Sequence, residues 1–196
     1  MACRASAART VAPASPPGTS RAAALFYSDV ELAPGRTFPS PLVRGSVNGT
    51  ATTVVVDTGA QVSVIDAALA AAANVEIGAG AEGRDPSGQA VAMRKTDRAR
   101  LVIDGLGPVA DRPAAIVALP PILTRLGVGA ILSPQALAEG GRYVVLDLAK
   151  RELRTSDALP PPARPPSGLH AMATVDLCRF SDDGFDARAL VTTAII

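Results

Sequence analysis

The sequence has few aromatic residues, few cysteines and almost no net charge. Aromatic side chains make up 3% of the 196 residues, and tryptophan is absent, so the core must be built from aliphatic side chains. Lys plus Arg number 19 and Asp plus Glu number 18, a balance that excludes nucleic-acid binding as the main function. Two cysteines and one histidine are too few for a zinc site or a disulfide framework. We therefore expect neither a metal nor a cofactor.

Long apolar runs are also missing. No stretch approaches the 18 apolar residues of a membrane-spanning helix, so we expect no transmembrane segment. Residues 1–20 are rich in Ala, Pro and Ser and lack the apolar run of a secretory signal. They fit either an unstructured leader or the remnant of a lipid-attachment site at Cys3 in a chain that starts upstream. The second interpretation would give a periplasmic, secreted or lipid-anchored protein, and the residues leave the compartment unknown.

The sequence contains enough apolar residues for one folded domain with additional segments on either side. Hydrophobic residues make up 48% of the chain, and 17 prolines and 17 glycines divide it into blocks. We predict a disordered leader over 1–38, a β domain over 39–154, a Pro-rich linker over 155–168 and a final strand-containing segment over 169–196. Within 39–154, short apolar runs alternate with turn residues, a pattern typical of an all-β domain.

Several elements of this domain can be placed from local patterns. Asn48-Gly49 lies between two strand-like runs and is the residue pair that a tight hairpin turn favours. Asp66 is a suitable N-cap for a short helix over 67–73, which Asn74 could end. Ser133-Pro134 is a second helix start, with Ser as the cap and Pro in the first turn. The domain is thus expected to be mainly β with short helices.

The chemically informative stretch is 54–65, which reads Val-Val-Val-Asp-Thr-Gly-Ala-Gln-Val-Ser-Val-Ile. Asp57 interrupts two apolar strands, where a carboxylate is unfavourable unless it is hydrogen-bonded or functional. Gly59 allows a sharp turn, and Thr58 supplies a hydroxyl that could hold a neighbouring loop. The pattern predicts a single carboxylate at the tip of a rigid loop, and a simple Asx turn in a hairpin is the alternative.

This stretch resembles the retropepsin-like aspartic proteases, whose motif is an apolar run followed by Asp-Thr-Gly-Ala, two residues, Ser or Thr, and two apolar residues. The resemblance implies a retropepsin-like all-β lobe in which Asp57 is catalytic and Thr58, Gly59 and Ala60 support its loop. It also implies a second motif strand, which we place at Ile131, Leu132 and Ser133. Ser133 stands where the family usually has Gly, and its small size makes it acceptable there.

The family also has a β-hairpin flap after the Asp motif. We expect it over about 83–94, with Pro86, Ser87 and Gly88 near its tip. The flap lacks Tyr and Trp, so substrate contacts there must come from the backbone, Val91 or Met93.

The mechanism implied by the resemblance requires two carboxylates that share one proton and activate a water molecule. Each lobe supplies one Asp, so Asp57 needs a partner. The resemblance thus implies an aspartic endopeptidase that acts on a peptide or protein substrate as a homodimer, with Asp57 of one copy beside Asp57 of the other.

The last segment repeats the spacing of the first motif with an offset of 135 residues. Asn48-Gly49 then corresponds to Asp183-Gly184, and Asp57 corresponds to Thr192. We interpret 169–196 as the start of an incomplete second lobe whose acid is replaced by Thr192; a chance similarity of two hairpins is the alternative. This degenerate copy keeps a second function open, a catalytically inactive remnant that binds peptides or serves as an interaction module.

Overall fold

The computed structural model describes residues 21–84, 90–109, 113–138, 142–157, 178–182 and 185–191. The strands in chain order are β1 Arg21–Ala24, β2 Glu31–Ala33, β3 Arg36–Thr37, β4 Leu42–Val47, β5 Thr50–Val56, β6 Val64–Asp66, β7 Gly80–Arg84, β8 Ala90–Thr96, β9 Leu101–Ile103, β10 Gly107–Pro108, β11 Ala114–Val117, β12 Val128–Leu132, β13 Tyr143–Asp147, β14 Glu152–Ser156, β15 Cys178–Asp182 and β16 Phe185–Val191. The helices are α1 Ala67–Ala72, α2 Pro121–Arg125 and a 3₁₀ turn at Pro134–Leu137. The expected all-β class with short helices is confirmed.

A nine-stranded sheet forms the body of the domain, in the order β10-β9-β4-β5-β12-β6-β11-β8-β7. Its centre is β12, which runs parallel to β5 and antiparallel to β6. The two strands that flank the Asp motif, β5 and β6, therefore lie on either side of the second motif strand.

The β4–β5 hairpin forms as the Asn48-Gly49 pair predicts. Both residues have positive φ, 47° and 86°, which only Gly and a few residues such as Asn adopt at low cost. The Asn48 side chain adds two tethers: its amide donates to the Ala73 carbonyl at 3.1 Å, and its oxygen accepts from the Arg100 N–H at 2.9 Å. One turn residue thus also joins the hairpin to the end of α1 and to the start of β9.

The larger part of the core lies on one face of the nine-stranded sheet. Val54 and Val56 of β5 belong to this core, as does Leu153 of β14. A separate three-stranded sheet, in the order β1-β14-β13, contributes to the same core. Stacking of two apolar sheet faces supplies the hydrophobic burial that a chain poor in aromatic residues has to obtain from Val, Leu and Ile.

The structure corrects the extent of the predicted leader. Residues 21–24 form β1, which pairs with β14 along its whole length. Ala23 and Leu25 are 2% and 4% exposed and belong to the main core. A strand of four residues is too short to show a recognisable hydrophobic pattern. The sequence alone therefore does not distinguish β1 from an unstructured, Ala-rich leader. Residues 1–20 lie outside the described part of the chain.

At the other end, β15 and β16 pair as an antiparallel hairpin, as the strand-like character of the final segment predicts. Asp183-Gly184 and Thr192 lie outside the described residues, as does the proposed linker from residue 158 onward. Among the described residues, no helix is long and apolar enough to cross a membrane.

Candidate active site

The loop that carries Asp57 begins where β5 ends. The Asp57 N–H donates to the Leu132 carbonyl at 3.1 Å, which extends the pairing of β5 with β12 by one residue. The Asp57 carboxylate accepts the Gly59 N–H at 2.9 Å, and the Ala60 N–H donates to the Asp57 carbonyl at 3.2 Å. The loop is therefore a hydrogen-bonded turn that orients the carboxylate through its own backbone.

Ser133 joins this loop to the second motif strand. Its hydroxyl donates to the Ala60 carbonyl at 2.8 Å, and its N–H donates to the Ser63 hydroxyl at 3.2 Å. The residue is 1% exposed, so both hydrogen bonds are shielded from water and hold the loop firmly. Ser133 occupies the predicted N-cap position before Pro134, but its hydroxyl makes no capping hydrogen bond, because it donates to the Asp57 loop instead. The helix itself is a single 3₁₀ turn.

Asp57, Thr58 and Gly59 are exposed in the single chain, and Ala60 is half-buried. The flanking strands are buried, with Val56 4% exposed and Leu132 fully buried. The lobe thus presents one carboxylate on a rigid and well-packed base, facing solvent. A carboxylate in this position can accept hydrogen bonds or a proton from a molecule that approaches the loop.

Strand alternation identifies the face of the sheet on which Asp57 lies. Val54 and Val56 point into the main core, whereas Val55 belongs to a second apolar cluster on the opposite face. Because side chains alternate along a strand, Asp57 lies on the same face as Val55. We call this surface the Asp57 face. Its buried members are Leu42, Val55, Leu119 and Val128, and its partly buried members are Phe26, Phe38, Val64, Leu123, Leu126 and Ile131.

Two residues of the predicted leader contribute to the Asp57 face. Phe26 exchanges two backbone hydrogen bonds with Leu42, both at 2.9 Å, and the Arg44 guanidinium lies 4.5 Å from its ring centroid. Phe38 packs against the same cluster. Sequence reasoning missed both residues, because the resemblance begins after them and isolated aromatic residues carry no pattern.

Strands β7 and β8 pair as an antiparallel hairpin in the stretch where we expect the flap. Its proposed tip residues Pro86, Ser87 and Gly88 lie outside the described residues. The inner arm of the hairpin, including Val91 and Met93, borders a cavity of about 810 Å³ whose other walls include Ile77, Ala67 and the end of β11. In the sheet, this cavity lies on the side of β6 that faces β11 and β8. The Asp57 loop connects β5 to β6.

Asp66 has a larger role than the predicted helix cap. One carboxylate oxygen accepts the Ala68 and Leu69 N–H groups at the start of α1, which confirms the cap. The other oxygen accepts the Leu119 N–H at 2.9 Å. The sequence contains no signal for this long-range contact, because 53 residues separate the two groups.

The comparison with protein families agrees with the motif. Residues 43–122 match the family described as "gag-polyprotein putative aspartyl protease", which confirms the resemblance to the retropepsin-like aspartic proteases. Among solved structures, EIAV protease in complex with the inhibitor HBY-793 shows 22% sequence identity and a TM-score of 0.33, over 50% of this chain and 100% of the viral chain. No curated protein sequence matches the chain.

Proposed function

We propose that this chain, whose residues 43–122 match a retroviral-type aspartyl protease family, is an aspartic endopeptidase in which Asp57 is the catalytic acid and base. The observation that carries the proposal is the exposed Asp57 carboxylate on a loop fixed by Gly59, Ala60 and Ser133. Such a loop holds a reacting group in place before the substrate arrives, which is what catalysis requires.

The reaction needs a second carboxylate, and the proposed source is Asp57 of a second copy. Two carboxylates in contact share one proton, because both cannot be ionised at that distance. The ionised group removes a proton from a water molecule held between them. The protonated group donates to the carbonyl oxygen of the peptide bond, so that water attacks directly and no acyl-enzyme forms.

The substrate in this proposal is a peptide or an unfolded protein segment. The apolar residues beside Asp57 on the same face of the sheet, among them Val55 and Ile131, favour extended peptides with apolar side chains next to the cleaved bond. The β7–β8 hairpin would cover the bound peptide.

The experiment that tests the proposal compares Asp57→Asn with the matched control Asp29→Asn, an exposed acid outside the motif. Both substitutions exchange a carboxylate for an amide of nearly the same shape. Cleavage of an unfolded protein should disappear in Asp57→Asn and persist in Asp29→Asn, with an acidic pH optimum and inhibition by statine-type transition-state mimics. Undiminished cleavage by Asp57→Asn would overturn the assignment. A wild type that binds peptides without cleaving them would support the inactive peptide-binding module instead.

A further inference from the structure

Asp66 is a buried carboxylate that the proposed chemistry does not use. It is 7% exposed, and three backbone N–H groups donate to it: Ala68 at 3.1 Å and Leu69 at 3.4 Å to one oxygen, and Leu119 at 2.9 Å to the other. A helix cap needs one acceptor oxygen, and Ser or Asn caps as well as Asp. The cap therefore accounts for one oxygen only, and Leu119 accounts for the other.

The Leu119 N–H is the last backbone donor before Pro120-Pro121, neither of which has an N–H group. It lies two residues beyond the point where β11 pairs with β6, since Val117 is opposite Asp66 in that register. The following helix α2 has Pro120 at its N-cap and no side-chain cap. The Asp66 carboxylate thus fixes the chain at the junction where β11 ends and α2 begins.

The residues at this junction and just after it form one side of the Asp57 face. Leu119 is 9% exposed and belongs to the buried part of that face, together with Val55. Leu123 and Leu126, from α2 and its C-cap, pack against it and remain partly accessible. We call the segment Leu119–Leu126 the α2 wall.

We propose that Asp66 is a positioning residue for substrate binding: by holding the Leu119 N–H it fixes the α2 wall against the Asp57 face and thereby sets the affinity for apolar side chains of the peptide. This inference deepens the proposed function and depends on it for the identity of the ligand. Asp66 makes no contact with the reacting atoms in this account, so its loss should weaken binding of substrate and transition state alike.

The test uses the full chain with Asp66→Ser, which keeps an N-cap oxygen for α1 and is too short to hold Leu119 as well. Asp66→Asn is the second variant, since it keeps the side-chain volume and loses one of the two acceptor oxygens. Asn48→Gly is the matched control: it keeps the turn conformation and removes two side-chain hydrogen bonds to distant backbone groups, the Ala73 carbonyl at 3.1 Å and the Arg100 N–H at 2.9 Å, away from the Asp57 face. Leu123→Ala tests the wall directly.

Two readouts are measured, the steady-state kinetics on a peptide with large apolar residues on both sides of the cleaved bond, and hydrogen exchange of the Leu119 amide. In Asp66→Ser, KM should rise about tenfold while kcat stays within about twofold of the wild type, and Leu119 exchange should accelerate. Leu123→Ala should raise KM in the same way without changing Leu119 exchange. Asp66→Asn should lie between Asp66→Ser and the wild type.

The inference is overturned if the Asp66 variants keep the wild-type KM, or if Asn48→Gly changes KM and kcat as they do. It is also overturned if the Leu119 amide keeps its protection in both Asp66 variants. If the wild type cleaves no peptide, the proposed function is contradicted. The positioning of Leu119 by Asp66 is then tested by hydrogen exchange of the Leu119 amide alone.

Discussion

Asn48, Asp66 and Ser133 show how single polar residues join elements that are distant in the sequence. The sequence predicts Asn48 as a turn residue, Asp66 as a helix cap, and Ser133 both as a cap and as the end of the second motif strand. In the structure Asn48 also binds Ala73 and Arg100, and Asp66 also binds Leu119. Ser133 occupies the N-cap position, but its hydroxyl donates to the Ala60 carbonyl of the Asp57 loop. Local patterns predict backbone conformation, but the partner of a polar side chain depends on tertiary packing that no short window contains.

The turn at Asn48 allows its two contributions to be separated. Asn48→Gly retains the positive φ and loses the two side-chain hydrogen bonds, whereas Asn48→Ala loses the hydrogen bonds and is strained at φ 47°. We expect Asn48→Gly to lower the free energy of unfolding by about 1–2 kcal/mol. Asn48→Ala should lower it by a further ~1 kcal/mol, because an L residue in the left-handed region is unfavourable.

Urea unfolding monitored by circular dichroism measures both values. Ser28→Ala is a suitable control, because it removes an exposed side-chain contact to the Val30 N–H and should change stability by less than about 0.5 kcal/mol. Equal stability of Asn48→Gly and the wild type would mean that the two tethers contribute nothing.

At the level of elements, helices and strands with a specific start or stop residue lie where the sequence predicts them, and a strand without such a residue could not be predicted. The β4–β5 hairpin, α1 and the strand after Gly127 all lie within a few residues of their predicted bounds. Each has a specific start or stop residue. By contrast, β1 has the sequence Arg-Ala-Ala-Ala, and nothing local marks it as a strand. Its conformation comes from pairing with β14, which follows it by more than a hundred residues.

The contribution of β1 can be tested by truncation. A chain that starts at Pro39, the predicted domain boundary, loses Ala23 and Leu25 from the core and one neighbour of β14. Full burial of one Leu side chain is worth about 1.5–3 kcal/mol, so this chain should unfold at clearly lower urea concentration than a chain that starts at Ser20. Identical midpoints for the two truncated chains would show that β1 is dispensable.

At the scale of the whole molecule, the family match over 43–122 and the Asp motif both indicate a retropepsin-like lobe, in which we propose that Asp57 is the catalytic carboxylate. The described lobe positions that carboxylate through its own hydrogen bonds, yet leaves it exposed. The family resemblance and the Asp loop could be predicted from the sequence, because the residues that carry both lie within the short stretch 54–65. The Asp57 face could not, since it combines residues from Phe26 to Ile131. The proposed mechanism needs two carboxylates, so a second copy of the chain must complete the site.

Mixing of subunits tests this requirement most directly. Wild-type chain is held at a fixed concentration near the dissociation constant of the dimer, and Asp57→Asn chain is added in up to tenfold excess. At tenfold excess most wild-type chains pair with inactive partners, so cleavage should fall to roughly a seventh of its starting rate. Addition of Asp29→Asn chain instead should raise the rate, because those chains supply an intact Asp57. A rate that stays constant when Asp57→Asn chain is added would contradict the shared-carboxylate site.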